Sequence, residues 1–342
     1  MPASEFDLIA AISERLPAPG PKVRVPSGDD AAVIAPTGTS AVSVDAIVEG
    51  VHFTLASFGA VAVGRKALAA ALSDLAAMGA EPGEAYVVVG APAEIADEEL
   101  LGVAEGLAEV ASREGVSIAG GDLVASPVLV LSVTVVGYEP ADAALVTRSG
   151  ARPGDAVALT NELGGGAAAL ALLDHGGFGS GVRGEGAESV PAGVREHLLV
   201  RQFDPRPRLR EGRALAAAGA TAMIDVSDGL GADARHVAAS SGCRLEIDLE
   251  RVPVAEGVAE VAGTEAAALE LAATGGEDFE LLVTLPPGAV DSARTAVVEA
   301  GSALAEIGYA VEGRGVALRL PGGGEIEAAG FDQRRGSRSG SG

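Results

Sequence analysis

Blocks of alternating and periodic apolar positions fill the first 140 residues and predict a mixture of strands and helices. The runs "AVSVDAIV", "AYVVVG" and "PVLVLSVTVVGY" predict strands, and "AAVIA" and "VSIAG" predict shorter ones. Apolar residues at helical spacing predict helices over residues 97–113 and in the Ala-rich run that ends in "LAAALSDLAAMGAEP". That run ends with Gly79 as a C-cap and Pro82 just beyond it. An N-terminal helix is predicted from Phe6, Leu8, Ile9, Ile12 and Leu16.

A second set of apolar blocks follows a connecting segment at residues 139–155. Here "DAVALT" and "TAMIDV" predict strands, and helices are predicted at residues 166–173 and in "SDGLGADARHVAAS". The order of elements indicates an α/β or α+β fold in two domains, with the first at residues 1–140 and the second at residues 148–332.

Two further segments are expected to lie outside the packed domains. "HGGFGSGVRGEGAESVPAG" is rich in glycine, which favours a mobile surface insertion. Residues 333–342, which end in "GSRSGSG", carry almost no apolar surface to bury and are expected to be disordered.

Length and composition exclude several classes of protein. The chain has 342 residues, of which 48% are hydrophobic, enough for two real cores. We expect neither an export signal nor a membrane span, because no basic start precedes an apolar run and no stretch of about 18 apolar residues occurs. Cys243 is the only cysteine, which favours a cytoplasmic protein without an internal disulfide. The net charge of −24 argues against direct binding to nucleic acid or anionic membranes.

One carboxylate stands in a setting that surface charge does not explain. On the predicted helix, the neighbours of Asp74 three and four positions away are all apolar, namely Ala70, Ala71, Ala77 and Met78. Similar acids occur where apolar elements meet or beside glycines, namely Asp29, Asp30, Asp45, Asp122, Asp225 and Asp228. Each alone could be a helix cap or a turn residue.

Taken together, these acids predict a metal site. Lys22 and Lys66 are the only lysines, so few ammonium groups are available to neutralise buried carboxylates, which must be paired, protonated or metal-bound. Oxygen ligands without clusters of His or Cys point to magnesium, whose coordination substrate phosphates often complete. A nucleotide site follows, but not a P-loop or protein-kinase site, because neither set of motifs is present.

The order of the motifs carries a resemblance to a known family. "GDDAAVI", "VSVDAIVEGVHF", "LSDLAAMGAEP", "GGD", "TRSGARPGD", "DPRPRL", "MIDVSDGL" and "GGEDFEL" resemble the thiamine-monophosphate kinase family, in order, over roughly residues 5–332. The wider superfamily includes aminoimidazole ribonucleotide synthase, selenophosphate synthetase and a hydrogenase maturation dehydratase. The last two would need a cysteine, or selenocysteine, near one terminus, where Cys243 does not lie.

The resemblance implies a fold and an activity. It implies a two-domain fold like that of aminoimidazole ribonucleotide synthase, dimerised through the N-terminal sheets, with an α/β C-terminal domain. It implies direct, magnesium-assisted transfer of phosphate from ATP to thiamine phosphate. The acceptor is itself an anionic phosphate near pH 7, so no strong general base is needed.

The resemblance also implies site residues. Magnesium ions would be held by Asp30, Ser43, Val44 through its carbonyl, Asp45, Asp74, Asp122, Asp225 and Asp228, of which Asp45, Asp74, Asp122 and Asp228 would be catalytic. ATP would contact Gly121, Asp122, Arg148 and Ser227. Thiamine phosphate would face His52 and Glu277, and Phe331 is the one aromatic residue near the C-terminus of a chain without tryptophan.

Purely structural roles remain open for some of these residues. Arg148 could be a linker residue, His52 a packed core histidine and Glu277 a residue that only shapes a turn. Two other functions also stay open: an ATP-dependent synthase of the aminoimidazole ribonucleotide type, and a non-catalytic acidic binding protein that keeps the fold.

Overall fold

The computed structural model describes residues 5–26, 31–36, 38–173, 190–332 and 337–339. The chain divides into two compact units, an N-terminal unit built mainly from residues up to Glu139 and a C-terminal unit built mainly from Pro140 onward. Residues Ala76–Gly79 belong to the C-terminal unit and Phe203–Pro205 to the N-terminal unit. Along the described chain, we find no helix whose length and apolar character would let it cross a membrane.

The N-terminal unit contains a four-stranded sheet, a separate sheet of its first two short strands, and helices. Its strands are β1 (Val23–Val25), β2 (Val33–Ile34), β3 (Ser40–Val48), β4 (Glu81–Ala91), β5 (Ser117–Ala125) and β6 (Val130–Tyr138), and its helices are α1 (Glu5–Ser13), α2 (Leu55–Phe58), α3 (Ala60–Ala77) and α4 (Asp97–Glu114). The sheet has the order β3-β6-β4-β5, which leaves β3 and β5 at opposite edges. The β4–β5 pair is parallel and the other two pairs are antiparallel.

Helices α3 and α4 cross at unusually short range because glycine occupies both sides of the contact. A Cβ atom on Gly64 would lie 2.1 Å from the carbonyl oxygen of Val103, and one on Gly106 would lie 2.0 Å from that of Val61. No side chain fits at such distances, so the two backbones touch directly. The predicted cap of α3 is also present, since Gly79 has φ 64° and Ala80 N–H donates to the carbonyl of Leu75.

The two faces of the sheet have different surroundings. Residues such as Leu131, Val133 and Val135 of β6 are fully buried. On the opposite face, Val42 and Val44 of β3 are 61% and 63% exposed. The register places Val88 of β4 and Val124 of β5 on that same face, each 43% exposed. We call these four valines the open valine face.

The C-terminal unit is a seven-stranded mixed sheet with helices. Its strands are β7 (Ala156–Thr160), β8 (Ala222–Val226), β9 (Arg244–Asp248), β10 (Glu280–Leu285), β11 (Leu304–Val311), β12 (Gly315–Arg319) and β13 (Glu325–Ile326), and a separate hairpin joins β14 (Gly330–Asp332) and β15 (Ser337–Ser339). Its helices are α5 (Gly165–Leu173), α6 (Ala192–Phe203, whose last residue is counted with the other unit), α7 (Leu209–Ala217), α8 (Leu230–Ser241), α9 (Val258–Ala262), α10 (Glu265–Thr274) and α11 (Val290–Ala300), with 3-10 turns at Leu249–Arg251 and Pro287–Ala289.

The order of the large sheet is β13-β12-β9-β11-β7-β10-β8, with only the β12–β9 pair parallel. Strands β7, β8 and β10 at its centre and edge are buried along their whole length. One core packs α8 against this sheet, and a second core joins α5 to helices α6, α9 and α10. The two-domain α/β (α+β) fold expected from the sequence is therefore confirmed.

Most predicted elements are present, and one expectation needs correction. The helix predicted at residues 97–113 is α4, and the predicted strands correspond to β2 to β8. Within the tail expected to be disordered, however, residues Ser337–Ser339 form β15 antiparallel to β14. Strand pairing satisfies backbone groups whatever the side chains are, so a lack of apolar residues does not exclude it. The remaining tail residues lie outside the described residues, and so do residues 174–189, which include most of the Gly-rich insertion.

Candidate functional site

In the N-terminal unit, β3 and α3 bring together three of the predicted ligands. Ser43 and Asp45 lie two positions apart and therefore share one face of β3. The Ser43 hydroxyl donates to Oδ2 of Asp74, so the carboxylate that α3 carries among apolar residues faces β3. Oδ1 of Asp45 accepts from the N–H of Ala46 at 2.7 Å. The result is a cluster of oxygen ligands on adjacent elements.

Of the other two ligands predicted near this cluster, the structure describes Val44 but not Asp30. Val44 lies on β3, an edge strand that pairs with β6 on one side only, so alternate backbone carbonyls point away from the sheet. Its own side chain belongs to the open valine face. Asp30 lies outside the described residues.

Gly121 and Asp122 lie on β5, at the other edge of the sheet. A Cβ on Gly121 would lie 2.5 Å from the carbonyl oxygen of Val87, so only glycine allows β4 and β5 to approach there. The Asp122 carboxylate is exposed and accepts from the N–H of Leu123 at 2.9 Å. Gly121 is in register with Asp45 through Val87 and Val133. Three strand spacings of about 4.8 Å therefore put β5 about 14 Å from β3.

An apolar cavity adjoins Asp122. It has a volume of about 150 Å³ and lies between α1, α4 and the β4–β5 pair. Ile9, Ile12 and Leu16 line it from the N-terminal segment. The apolar residues that predicted an N-terminal helix thus cover part of the surface next to a predicted ATP contact.

His52 lies in the turn that follows β3, and its ring has a defined hydrogen-bond role. Its Nδ1 accepts from the N–H of Val48 at 3.1 Å, so the neutral ring carries its proton on Nε2. Lys66 is 1% exposed, and its ammonium donates to the carbonyl oxygen of His52 at 3.1 Å. Lys66 also lies 5.2 Å from the ring centroid of Phe58. These contacts fix the turn that carries His52.

The described part of the chain holds no group of three or more His, Cys, Asp or Glu side chains placed to bind a metal ion. The residues on β3 and α3 nevertheless suit magnesium chemically, because they offer a hydroxyl and carboxylates without nitrogen or sulfur. Magnesium typically keeps several waters and takes only one or two carboxylates plus substrate phosphates, so a closed protein cage is not required.

In the C-terminal unit, Ser227 and Asp228 lie in a tight loop between β8 and α8. Oδ2 of Asp233 accepts from the backbone N–H groups of Ser227, Asp228 and Gly229, each at 3.1 Å. Burial, followed by the nearby carboxylates of Asp225 and Asp228, raises the pKa of Asp233 well above its usual value. One buried carboxyl group therefore fixes the loop that carries two predicted ligands.

Glu277 lies beside that loop in a strained backbone conformation. Its N–H donates to the carbonyl of Ser227 at 2.8 Å, and its Oε2 accepts from Nε2 of Gln202 at 3.0 Å. Glu277 has φ 66° and Phe279 has φ 53°, in the left-handed region that glycine tolerates far better. A residue that only shaped this turn would be better as glycine, so the strain favours a role for the Glu277 side chain.

Asp278 connects the same turn to the start of α5. Its two carboxylate oxygens accept from the N–H groups of Gly164 and Gly166, both at 2.8 Å. Burial raises the pKa of Asp278 to about 7, although these backbone donors act in the opposite direction. A Cβ on Gly166 would lie 2.3 Å from the carbonyl oxygen of Glu277, so glycine lets the two segments touch.

The other predicted residues of the C-terminal unit have mixed surroundings. Asp225 is 3% exposed on β8. The N–H of Phe331 donates to the carbonyl of Asp228 at 2.9 Å, which brings the C-terminal aromatic residue to the loop. Arg148 is exposed, and its carbonyl accepts from the hydroxyl of Ser241 at 3.2 Å. The structure thus joins Ser227, Asp228, Glu277 and Phe331 through backbone contacts.

The residues that support these sites were not predicted from the sequence. Asp233 lies in the first turn of α8, where acidic residues are favoured, and this is a signal the sequence does contain. Asp278 stands inside "GGEDFEL" but was not distinguished from its neighbour. Gln202 carries no sequence signal, because its contact with Glu277 joins segments 75 residues apart.

Comparison with known proteins connects these observations to a family. Residues 28–138 match the AIR synthase related protein, N-terminal domain, and residues 152–321 match the AIR synthase related protein, C-terminal domain. The thiamine-monophosphate kinase of Caulobacter vibrioides is 37% identical over 329 residues, covering 94% of this chain and 88% of its own.

Solved structures agree in fold. Thiamine-monophosphate kinase from Stenotrophomonas maltophilia has 32% identity and a TM-score of 0.80, covering 93% of this chain and 97% of that one. A structure described as AaThiL complexed with AMPPCP and TMP has 28% identity and a TM-score of 0.71, covering 94% and 96%. By sequence and by fold, the chain belongs to the thiamine-monophosphate kinase family.

Proposed function

We propose that this protein transfers the γ-phosphoryl group of ATP directly to thiamine phosphate, giving ADP and thiamine diphosphate, in the cytoplasm. One observation carries the proposal: a relative solved with an ATP analogue and TMP shares the fold over 94% of this chain. The strained Glu277 and the oxygen cluster on β3 and α3 support it independently of the resemblance.

Magnesium is the metal that the available ligands suit. Ser43, Val44 through its carbonyl, Asp45 and Asp74 would hold it in the N-terminal unit, and Asp225 and Asp228 in the C-terminal unit, with Asp30 as a further ligand from the sequence. Bound magnesium would neutralise the charge that spreads over the transferring phosphoryl oxygens. The chain's own carboxylates cannot do this, since they carry the same sign as ATP.

Asp122 cannot share one magnesium ion with Asp45 of its own chain. Asp45 and Asp122 stand on strands about 14 Å apart, too far for one ion with ligand distances of about 2 Å. The open valine face is an apolar surface of the kind that marks protein interfaces. We therefore include a homodimer through the N-terminal sheets in the proposal, with Asp122 of one chain serving the site of the other.

The remaining residues have roles that follow from their hydrogen bonds. His52 accepts at Nδ1, so its Nε2 proton is suited to donate to a phosphate oxygen of thiamine phosphate. Glu277 would bind the same substrate, and Phe331 would contact its ring. Gly121, Arg148 and Ser227 would contact ATP, with the planar guanidinium of Arg148 donating to phosphate.

The test is a product assay with the purified full chain. With ATP and magnesium, ADP and thiamine diphosphate should form with thiamine phosphate as acceptor, and not with thiamine or with a formyl-amidine ribonucleotide. Turnover of the amidine alone would indicate a synthase, and no turnover of any acceptor would indicate a binding protein.

Excess chelator should abolish ATP binding measured by calorimetry, because the acidic chain and ATP then repel each other.

Arg148 can be tested against a neighbour in the same loop. Arg148→Ala should weaken ATP binding by roughly tenfold or more, as expected when a charge-assisted bond to phosphate is lost. Arg152→Ala is the matched control, since Arg152 is exposed nearby and has no assigned contact with ATP. Equal affinities for both variants would return Arg148 to a linker role.

A further inference from the structure

We infer that Gln202 is a positioning residue for thiamine phosphate, acting through the Glu277 carboxylate. The inference rests on the proposed role of Glu277 in binding that substrate. It adds a residue that neither the motifs nor the family resemblance brought forward.

The buried side-chain amide of Gln202 donates hydrogen bonds to two different segments. Gln202 is 1% exposed near the end of α6, and its Nε2 donates at 3.0 Å both to Oε2 of Glu277 and to the carbonyl oxygen of Gly166. An amide nitrogen carries two hydrogens, so the two bonds use both donors. The carboxylate of Glu277 is thereby held at a fixed position relative to the start of α5.

The chemistry of the donor matters as much as its position. A primary amide is neutral, so it orients the Glu277 carboxylate without adding a positive charge of its own. An arginine or lysine in this place would orient the carboxylate and also add a positive charge beside it. The cation of the thiazolium ring in thiamine phosphate is a natural partner for a carboxylate.

The backbone of Glu277 shows why an external support is useful. At φ 66° the residue pays a conformational penalty that the folded state must offset through other contacts. The bond from Glu277 N–H to the Ser227 carbonyl fixes its backbone, and the bonds of Asp278 to Gly164 and Gly166 fix the next residue. Gln202 supplies a constraint on the side chain itself.

The experiment compares Gln202→Met, Glu277→Gln and the double variant in the full chain. Gln202→Met keeps a similar volume but removes both donors. We expect it to raise the KM for thiamine phosphate about tenfold or more, with little change in the KM for ATP. In the Glu277→Gln background, the same change should raise the KM for thiamine phosphate no further, because the group through which Gln202 acts is gone.

Two further variants separate positioning from packing. Leu198→Met, one turn earlier on α6 at a fully buried site, should leave both KM values unchanged. Gln202→Asn keeps a hydrogen-bonding amide but draws it back by one methylene group. It should give the same selective rise in KM if Gln202→Met proves too unstable to assay.

Each other outcome overturns the inference in a recognisable way. If Glu277→Gln raises the KM for thiamine phosphate while Gln202→Met and Gln202→Asn do not, Gln202 is a packing residue and the proposed function stands. If Gln202→Met raises the KM for ATP as much as the KM for thiamine phosphate, its effect is structural. The same holds if it raises the KM for thiamine phosphate in the Glu277→Gln background as much as it does in the wild type. If Glu277→Gln leaves the KM unchanged, the substrate role proposed for Glu277 fails together with the inference.

Discussion

Two groups of carboxylates, one in each unit, have opposite surroundings. In the N-terminal unit, Asp74 is half-buried on a helix and accepts from one hydroxyl, and Asp122 is exposed on an edge strand and accepts from the N–H of the next residue. In the C-terminal unit, Asp233 and Asp278 accept from three and two backbone N–H groups. The first arrangement leaves oxygen atoms for cations, and the second uses them to fix loops.

This difference separates two meanings of an acidic residue in an apolar setting. A carboxylate that satisfies several backbone donors contributes to stability, and its removal exposes those donors to an apolar environment. A carboxylate among others of the same sign costs stability until a cation binds. Removing the acceptor oxygens of the second group should therefore destabilise the fold, whereas removing one charge from the first group should not.

The largest expected effect is that of Asp233→Ala. Three backbone N–H groups would lose their acceptor, and an unsatisfied buried donor typically costs 1 to 3 kcal/mol, so we expect a loss of about 3 kcal/mol or more in the free energy of unfolding. Denaturant unfolding without metal measures it. Asp291→Ala, on the exposed first turn of α11, is the control and should change stability by less than about 1 kcal/mol. A loss of less than about 1 kcal/mol in the free energy of unfolding of Asp233→Ala would contradict the stabilising role assigned to this carboxyl group.

Asp74→Asn should show the other pattern. The amide oxygen can still accept from the Ser43 hydroxyl, while the negative charge is removed. We expect the metal-free protein to be equally stable or more stable, magnesium-dependent stabilisation to fall, and turnover to drop about a hundredfold or more. Ser43→Ala is the companion variant, which removes the hydroxyl but keeps the charge. An Asp74→Asn protein that melts clearly earlier without metal yet turns over normally would make Asp74 a structural acid.

Elements of the fold and the site could be predicted where the sequence pattern that specifies them is local, and contacts between distant segments could not. The strand of Ser43 and Asp45, the helix of Asp74 and its glycine cap all follow from periodicity and turn residues within about 20 positions. The Ser43–Asp74 contact joins β3 to α3, and sequence could supply the two residues but not the bond. The register that separates Asp45 from Asp122 depends on how four strands are ordered, which no local pattern specifies. Gln202 and Glu277 meet only through the fold of the C-terminal unit.

Gly106→Ala tests the rigid helix pair of the N-terminal unit. The added Cβ would meet the carbonyl oxygen of Val61 at 2.0 Å, so α3 and α4 must move apart. We expect a loss of about 2 kcal/mol, as for other overpacked sites, measured by thermal or denaturant unfolding. Gly193→Ala is the matched control, because its Cβ would meet nothing within 4 Å on α6. There the better helix propensity of alanine should give no loss or a gain of about 0.5 kcal/mol.

The smallest effect is the pH dependence that Asp278 contributes. Its pKa is about 7 in the folded protein and about 4 in an unfolded chain, so between these values the folded state binds a proton that the unfolded state has released. The contribution is therefore fully present below about pH 4 and is lost as the pH rises through 7. Asp278→Asn cannot ionise and lacks this contribution.

The wild type should therefore be more stable relative to Asp278→Asn at pH 5.5 than at pH 8, as judged by the free energy of unfolding. We expect this difference to change by about 1 to 2 kcal/mol, less than a full conversion of the pKa difference, because the interval from pH 5.5 to 8 covers only the part of the titration window that lies between pH 5.5 and the pKa of about 7. Denaturant curves at the two pH values give the comparison, and other titrating groups cancel because both proteins share them. A difference that stays constant, or grows with pH, would show that Asp278 is ionised throughout and fixes its loop as a carboxylate.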